Sequence, residues 1–236
     1  MPGLFIMLPA LDEADALPKV VGAIPVDELE AAGWQPRIIV VDGGSTDETV
    51  KVAHELGCIV YHQKGRGKGS GMRQAFNAFL NSENDALVML DADGTYDPKE
   101  IPLLLSKLEE NCVVIGDRLR GHLNRNAMTT VNWLGNHMLT WLAVALFGKA
   151  INDLCSGYWA FSKSALSKME LNSLRFEIEA EMYTSCAYRD IRIRHVPISY
   201  SERIGDAKLG SLRDGGSIAR KLIIRRIFPR PYEASK

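Results

Sequence analysis

Residues 86–94 read Ala-Leu-Val-Met-Leu-Asp-Ala-Asp-Gly, an apolar run that ends directly in two aspartates. Other short apolar runs occur at 4–8, 37–41, 58–61 and 112–115. The segments between them have helix-like patterns that begin near Glu13, Thr46, Gly69 and Pro98. Because strands that alternate with helices are typical of parallel sheets, the sequence predicts an α/β fold with a mostly parallel central sheet flanked by helices.

Acidic residues follow three of the predicted strands. Asp12 and Glu13 come after the first strand, Asp42 after the second, and Asp91 and Asp93 after the run quoted above. The carboxyl ends of parallel strands meet at one edge of the sheet, and ligands of α/β proteins bind there. The alternative for Asp12 is that it caps a helix and binds no ligand. Asp42 and Asp91 end apolar runs directly, where an unpaired charge is costly, so we predict an acidic crevice.

The two aspartates of the quoted run are candidates for a metal site. Side chains alternate with period two in an extended segment, so Asp91 and Asp93 lie on the same side. Carboxylates at an open strand end suit Mg²⁺ or Mn²⁺, which complete their coordination with waters and substrate phosphates.

A glycine-rich basic loop, Gly-Arg-Gly-Lys-Gly-Ser-Gly at 65–71, follows the third predicted strand. It matches neither the P-loop pattern nor the dinucleotide-binding pattern. Its backbone N–H groups and Lys68 could still approach an anion closely, although a mobile surface loop is the alternative.

Composition and charge narrow the class of protein. The 236 residues carry a net charge of −1, with 46% hydrophobic and 24% charged residues, which is typical of a globular protein. The charge is unevenly distributed, because the segment from Ser217 to the end contains six basic residues and one acidic residue. This distribution indicates an anionic partner on one side. The most apolar later stretch, 138–147, is far shorter than the ~20 residues that a membrane-spanning helix needs.

Two late segments could lie at a lipid surface. A basic patch at 120–125 leads into Trp133, Trp141 and an apolar run, which predicts an interfacial helix or, alternatively, a core helix. Residues 217–228 place apolar side chains near helical spacing, with basic residues at most other positions. The apolar ones are Ile218, Leu222, Ile223 and Ile227, and the basic ones are Arg220, Lys221, Arg225 and Arg226. This pattern favours an anionic membrane surface, and docking on the protein's own core is the alternative.

Taken together, these residues resemble family 2 glycosyltransferases of the GT-A fold, and within them the polyprenyl-phosphate and dolichyl-phosphate sugar synthases. The donor-side segments that carry the resemblance are LPALDEAD (8–15), VVDGGSTDET (40–49), GRGKGSGMRQAF (65–76) and MLDADGTYDP (89–98). Those of the second half are IGDR (115–118), WLGNHML (133–139), DLCSGYWAFSKSAL (153–166), FEIEAEM (176–182) and VPISYSERIGDAKLG (196–210). Their order and spacing are more specific than any one of them.

The resemblance implies a GT-A (Rossmann-like) catalytic domain at 1–212 and a basic amphipathic C-terminal tail at 213–236. It divides the domain into a nucleotide-sugar half at 1–117 and an acceptor half at 118–212. It assigns to donor binding Pro9, Asp12, Glu13, Asp42, Lys68, Asp91 and Asp93. Asp91 and Asp93 would hold Mg²⁺ or Mn²⁺.

The same resemblance assigns the reacting and acceptor groups. The catalytic candidates are Asp93, Arg118, Glu179, Arg203 and Lys208. Either Glu179 or Glu181 would lie near the sugar. The acceptor candidates are Arg118, Arg125, Asp153, Ser156 and Gly157.

The function implied is inverting transfer of a hexose or N-acetylhexosamine from a nucleoside-diphosphate sugar to dolichyl or polyprenyl phosphate, feeding protein or surface glycosylation. The enzyme would be peripheral at the cytoplasmic face of a membrane, either by its own contacts or held by a membrane partner protein. It would bind no nucleic acid. Thr95 departs from the mannosyl-synthase pattern, and Gly43 and Ala207 depart from the common family motifs. A UDP-sugar is therefore slightly favoured over GDP-mannose. The alternatives are a family 2 enzyme with a soluble acceptor, a nucleotidyltransferase and a non-catalytic partner subunit.

Overall fold

The computed structural model describes residues 1–205 and 211–230, with a seven-stranded sheet as its centre. The strands are β1 (Gly3–Ala10), β2 (Gln35–Asp42), β3 (Ile59–His62), β4 (Asn84–Met89), β5 (Cys112–Leu123), β6 (Trp159–Ser162) and β7 (Arg192–Tyr200). Their order across the sheet is β3-β2-β1-β4-β6-β5-β7. All neighbouring strands are parallel except β6, which is antiparallel to both β4 and β5.

Helices flank this sheet on both faces. They are α1 (Leu17–Gly22), α2 (Val26–Ala31), α3 (Thr49–Glu55), α4 (Lys68–Leu80), α5 (Ile101–Leu105), α6 (Thr130–Phe147), α7 (Lys163–Leu166), α8 (Ile178–Tyr188) and α9 (Ser211–Ile227). A 3₁₀ turn at Pro98–Glu100 leads into α5. The predicted α/β class with a mostly parallel sheet is confirmed, and the five apolar runs form β1 to β5.

The core lies on both faces of the sheet. Side chains of β4 alternate between the two faces, so Leu87 and Met89 pack on the α4 and α8 side while Ala86 and Val88 pack on the α1 and α5 side. A strand that is covered on both faces needs apolar residues at every position. This is the physical reason for the uninterrupted run that precedes the two aspartates.

The antiparallel strand β6 joins the two predicted halves of the domain. Ala160 pairs with Val88 of β4 on one side and with Val114 of β5 on the other. Trp159 and Phe161 are fully buried beside it. One continuous sheet therefore carries both the donor-side and the acceptor-side segments, whereas their division at residue 117 remains a prediction.

Helix α9 packs against α6 and α8. Ile218 and Leu222 are buried in the core, whereas Ile223 and Ile227 are exposed. The predicted helix is therefore present, but its apolar residues do not form a single membrane-facing stripe. The docking alternative is correct for Ile218 and Leu222.

A buried ion cluster fastens α9 to α8. Glu181 is fully buried and accepts hydrogen bonds from the backbone N–H groups of Asn172 (2.8 Å) and Ser173 (2.7 Å). Arg225, only 3% exposed, forms an ion pair with Glu181, and the Lys221 ammonium lies 3.4 Å from the same carboxylate. Arg225 and Lys221 therefore bind helix α8 of the same chain, contrary to the expectation that they face a membrane.

Candidate active site

The acidic strand ends converge as the sheet register requires. Ala10 at the end of β1 pairs with Asp42 at the end of β2, and the Gly43 amide donates to the Ala10 carbonyl at 2.8 Å. On the other side of β1, β4 runs parallel and delivers Asp91 just beyond its end. The predicted crevice is thus a product of strand register.

Asp12 and Asp42 shape the loops of this crevice. Asp12 adopts a left-handed backbone conformation (φ 49°), and its carboxylate accepts from the Thr46 amide at 2.6 Å. Asp42 accepts from the Ser45 amide at 3.0 Å and lies 3.2 Å from His62 Nδ1. Burial alone would raise the pKa of Asp42, but these hydrogen bonds hold it below its usual value. Both carboxylates brace the β1 and β2 loops, and their nucleotide contacts remain predictions.

Lys68, in the first turn of α4, bridges two carboxylates. Its Nζ lies 2.7 Å from Asp91 Oδ1 and 2.9 Å from Glu179 Oε1. Burial alone would lower the pKa of Lys68, but the two carboxylates raise it above its usual value. Lys68 is therefore an ammonium ion held between the predicted metal ligand and the predicted sugar-side acid.

Asp93 is held from two sides. Its Oδ1 accepts from the Thr95 hydroxyl (2.6 Å) and amide (3.0 Å), and its Oδ2 lies 3.1 Å from Arg203 Nη1. Arg203 Nη2 also donates to Glu13 at 2.5 Å. Burial and the nearby Asp91 raise the pKa of Asp93. Thr95, noted in the sequence as a departure from the mannosyl-synthase pattern, orients the Asp93 carboxylate.

The predicted acceptor-side arginine is neutralised by a buried partner. Arg118 Nε and Nη2 donate to the two Asp153 oxygens at 2.7 and 2.8 Å. The guanidinium also lies over the Tyr200 ring, 5.1 Å from its centre. Burial alone would lower the pKa of Arg118, but Asp153 raises it well above its usual value. Asp153 itself is fully buried, so its predicted acceptor contact would be made through Arg118.

Of the predicted acceptor residues Ser156 and Gly157, only Gly157 lies against the carboxylate cluster. The buried Ser156 hydroxyl accepts from the Tyr158 amide at 3.2 Å. The Gly157 amide donates to the Tyr96 hydroxyl at 2.6 Å. A Cβ at position 157 would lie 2.6 Å from Asp91 Oδ2, so glycine leaves the space that this carboxylate occupies.

One cavity of about 770 Å³ connects the ion cluster with an apolar region. Its polar end is lined by Pro9, Glu13, Lys68, Asp91, Asp93, Arg118, Glu179 and Arg203. Its apolar end is lined by Met128, Val131, Leu134, Met138, Leu139, Phe176 and Ile218. The structure therefore brings most of the predicted donor and catalytic side chains together and joins them to a passage between α6 and α9.

The remaining site predictions fall elsewhere. Within the described part of the chain, the cavity lining includes neither Asp12 and Asp42 nor the exposed Arg125. Glu179 lines the cavity, whereas Glu181 belongs to the ion cluster with α9. Lys208 and Ala207 lie outside the described residues.

Two tyrosines at the site were missed from the sequence. Tyr96 and Tyr200 line the cavity, with ring centres 5.2 Å apart. Tyr96 lies inside the quoted MLDADGTYDP segment, so its position beside the aspartates was an available signal. Tyr200 gave none, because only the pairing of β7 with β5 brings it to this end of the sheet.

The helices beside the apolar end expose large hydrophobic side chains. On α6 these include Trp141, which is 72% exposed, and Val131, Leu134 and Met138. Ile223 and Ile227 of α9 and the following Phe228 are also exposed. We call these seven residues the α6–α9 surface. Within residues 1–205 and 211–230, no helix is both long and apolar enough to cross a membrane.

The residues of the polar end fit a divalent cation. Asp91 and Asp93 supply hard carboxylate oxygens, and the Lys68 ammonium already places a positive charge 2.7 Å from Asp91. Among the described residues, no group of three or more histidine, cysteine, aspartate or glutamate side chains could hold a metal ion. Mg²⁺ in protein sites is usually bound by one or two carboxylates and takes its other ligands from waters and substrate phosphates. Arg203 Nε, buried and without a hydrogen-bond partner in the described part of the chain, fits an anion beside it.

Sequence comparison relates the chain to known glycosyltransferases. The family model described as Glycosyl transferase family 2 matches residues 6–169. Glycosyltransferase AglJ of Haloferax volcanii is 34% identical over 223 residues, which are 93% of this chain and 71% of the relative. A dolichyl-phosphate hexose transferase of the same organism is 28% identical over 206 residues, or 87% of each chain.

Structural comparison agrees on the fold. A crystal structure of glucosyl-3-phosphoglycerate synthase from Mycobacterium tuberculosis, in complex with Mn²⁺, UDP-glucose and phosphoglyceric acid, superimposes with a TM-score of 0.70. The match covers 98% of this chain and 82% of that one, at 21% sequence identity. At this identity the likeness concerns the fold.

Proposed function

This chain belongs to glycosyltransferase family 2, and we propose that it transfers a hexose or N-acetylhexosamine, with inversion, from a nucleoside-diphosphate sugar to polyprenyl or dolichyl phosphate. The observation that carries this proposal is the single cavity that joins a carboxylate and cation cluster to an apolar passage between α6 and α9. The polar end suits a nucleoside diphosphate, and the apolar end suits an isoprenoid chain. The relative named as a dolichyl-phosphate hexose transferase supports the same acceptor class.

The reaction requires little from the protein in the way of acid–base chemistry. A phosphate oxygen of the acceptor is already anionic, and it forms a bond to the anomeric carbon. The bond between that carbon and the diphosphate oxygen breaks, and the nucleoside diphosphate leaves with the electron pair. The main barrier is therefore the charge that develops on the leaving group, which fixed positive groups can stabilise.

Lys68 and Arg203 are the positive groups that line the polar end near the aspartates. Asp91 and Asp93 would hold Mg²⁺ or Mn²⁺, which when bound supplies further positive charge to the leaving diphosphate. Arg118 is neutralised by Asp153, so it would act on a phosphate as an oriented hydrogen-bond donor more than as a net charge. Glu179, at the same end of the cavity, would face the sugar hydroxyls.

Membrane contact is part of the proposal. The α6–α9 surface exposes tryptophan and aliphatic side chains beside the apolar end of the cavity. Arg220, Arg226 and Arg230 lie on or just beyond α9 and add positive charge near it. This combination suits the headgroup region of an anionic bilayer, where a long isoprenoid acceptor is anchored. A location at the cytoplasmic face and a membrane partner protein remain predictions.

The test is incubation of the purified chain with UDP-glucose, UDP-N-acetylglucosamine, UDP-galactose or GDP-mannose and a short polyprenyl phosphate. We expect one donor, a UDP-sugar by the departures noted in the sequence, to give a glycosylated lipid phosphate detected by mass. NMR of the product should show the inverted anomer. Parallel reactions with 3-phosphoglycerate test the alternative of a soluble acceptor. Transfer to that acceptor alone, or transfer to none of them, would refute the proposed function.

A further inference from the structure

Each of the two carboxylates proposed to bind the metal forms an ion pair with a basic side chain of the protein. Lys68 Nζ lies 2.7 Å from Asp91, and Arg203 Nη1 lies 3.1 Å from Asp93. Each cation also reaches a second acid, since Lys68 is 2.9 Å from Glu179 and Arg203 is 2.5 Å from Glu13. All four carboxylates line the same cavity as the two basic side chains.

These ion pairs hinder the binding of both parts of a donor complex, the metal and the diphosphate. A divalent cation and an ammonium ion repel strongly if both stay within about 3 Å of one carboxylate in a partly buried site. A diphosphate, in turn, gains less from Lys68 and Arg203 while carboxylates neutralise them. The metal alone must displace these cations, and the nucleotide alone must draw them away from the acids.

Resting on the proposed function, we propose that Lys68 and Arg203 exchange partners when the donor binds, from Asp91 and Asp93 to the diphosphate. Each ligand then removes the obstacle to the other, so the metal and the nucleoside diphosphate bind as a linked pair. Linkage requires the effect to be reciprocal, because the nucleotide must tighten metal binding by the same factor as the metal tightens nucleotide binding.

The backbone around Lys68 favours a side-chain movement over a loop movement. A Cβ at Gly67 would lie 2.3 Å from the Leu174 carbonyl, and one at Gly69 would lie 2.7 Å from the Ser173 carbonyl. The Ser70 amide also donates to the Leu174 carbonyl at 3.2 Å. The loop is thus packed closely on residues 173–175, and the flexible lysine side chain is the part that can change partners.

The test measures binding in the absence of acceptor and of turnover. Free Mn²⁺ is followed by EPR with and without UDP, and UDP binding is followed by calorimetry with and without Mn²⁺. In the native chain we expect each ligand to tighten the other by the same factor, within the roughly 5–150-fold range of typical coupling. In Lys68→Met we expect Mn²⁺ alone to bind several-fold more tightly. The coupling factor should fall several-fold, to the part that direct contact between metal and diphosphate supplies.

Lys64→Met is the matched control, because Lys64 is an exposed lysine four residues before Lys68. It removes the same charge and should leave the native coupling factor. Arg203→Met provides a second, independent variant with the same expectation as Lys68→Met, and thermal unfolding confirms that each variant is folded.

Unchanged or weaker Mn²⁺ binding without UDP in both Met variants, or a coupling factor equal to the native one, would overturn this inference alone. A native chain that binds neither Mn²⁺ nor UDP would overturn the proposed function as well. Transfer activity in the native chain without metal–nucleotide coupling would leave the proposed function standing and remove only the exchange of partners.

Discussion

The buried ion cluster between α8 and α9 permits a quantitative prediction about stability. Glu181→Gln keeps the shape of the side chain and an oxygen that can accept from the Asn172 and Ser173 amides. It removes the negative charge opposite Arg225, which is only 3% exposed. Removing one partner of a buried ion pair costs about 3–5 kcal/mol. Because the amide contacts survive and Lys221 can turn partly to solvent, we expect the lower end of that range.

Thermal and urea unfolding measure this loss. In a chain of this size, each kcal/mol shifts Tm by roughly 2–4 °C, so about 3 kcal/mol lowers Tm by roughly 6–12 °C. The double variant Glu181→Gln, Arg225→Met removes both charges and should be more stable than Glu181→Gln alone. The control is Glu48→Gln, which breaks an exposed pair with Lys51 and should leave Tm nearly unchanged.

The same cluster predicts a pH dependence. Burial alone would raise the pKa of Glu181, but Lys221, Arg225 and the Ser173 amide hold it below its usual value. A carboxyl group with a lowered pKa in the folded state stabilises the protein above its unfolded pKa, roughly 4.3. That contribution disappears as the pH falls through the lower, folded pKa. The stability gap between the native chain and Glu181→Gln should therefore be full at pH 7 and shrink below pH ~4. A gap that is below about 1 kcal/mol at pH 7, or that does not change with pH, would refute this account of α9.

Three further predictions concern the site and the surface. Asp93→Asn should lose Mn²⁺-dependent UDP binding, measured by calorimetry. Its Tm should stay at or above that of the native chain, because burial raises the pKa of Asp93 and disfavours its charged form. Gly157→Ala should reduce transfer at least about 10-fold in a product assay. Its Cβ would lie 2.6 Å from Asp91 Oδ2, and displacing that carboxylate by about 1 Å can cost this much rate. Native rates would contradict the placement of Asp91. Trp141→Ser, at a position 72% exposed, should weaken binding to anionic liposomes in a flotation assay without lowering Tm; an unchanged liposome affinity would count against membrane contact through α6.

Much of the donor side was predictable because local sequence carries it. β1, β2 and β4 are apolar runs that end in acidic residues, and parallel pairing places such ends together whatever the details of the loops. β6 was not predictable in the same way. It has four residues, and its antiparallel place between β4 and β5 depends on pairing with residues 44 to 76 positions earlier in the chain.

The choice between Glu179 and Glu181 illustrates a second limit. Residues two apart on a helix point about 200° from each other, so these two acids must face different surroundings. The motif contains both and does not say which surface of α8 meets the cavity. Packing decides this, since Glu179 lies against Lys68 and Glu181 against Arg225.

The tail shows how one helical periodicity can serve two surfaces. Ile218, Leu222 and Arg225 lie on the same stripe of α9. The arginine points inward with the two apolar side chains because its ion-pair partner, Glu181, lies there. Ile223 and Ile227 form a second stripe that stays exposed. Deleting α9 would therefore remove core packing together with any lipid contact, and loss of liposome binding after truncation would have two explanations. Point changes on the exposed stripe separate them, because they leave the buried stripe and its ion pair in place.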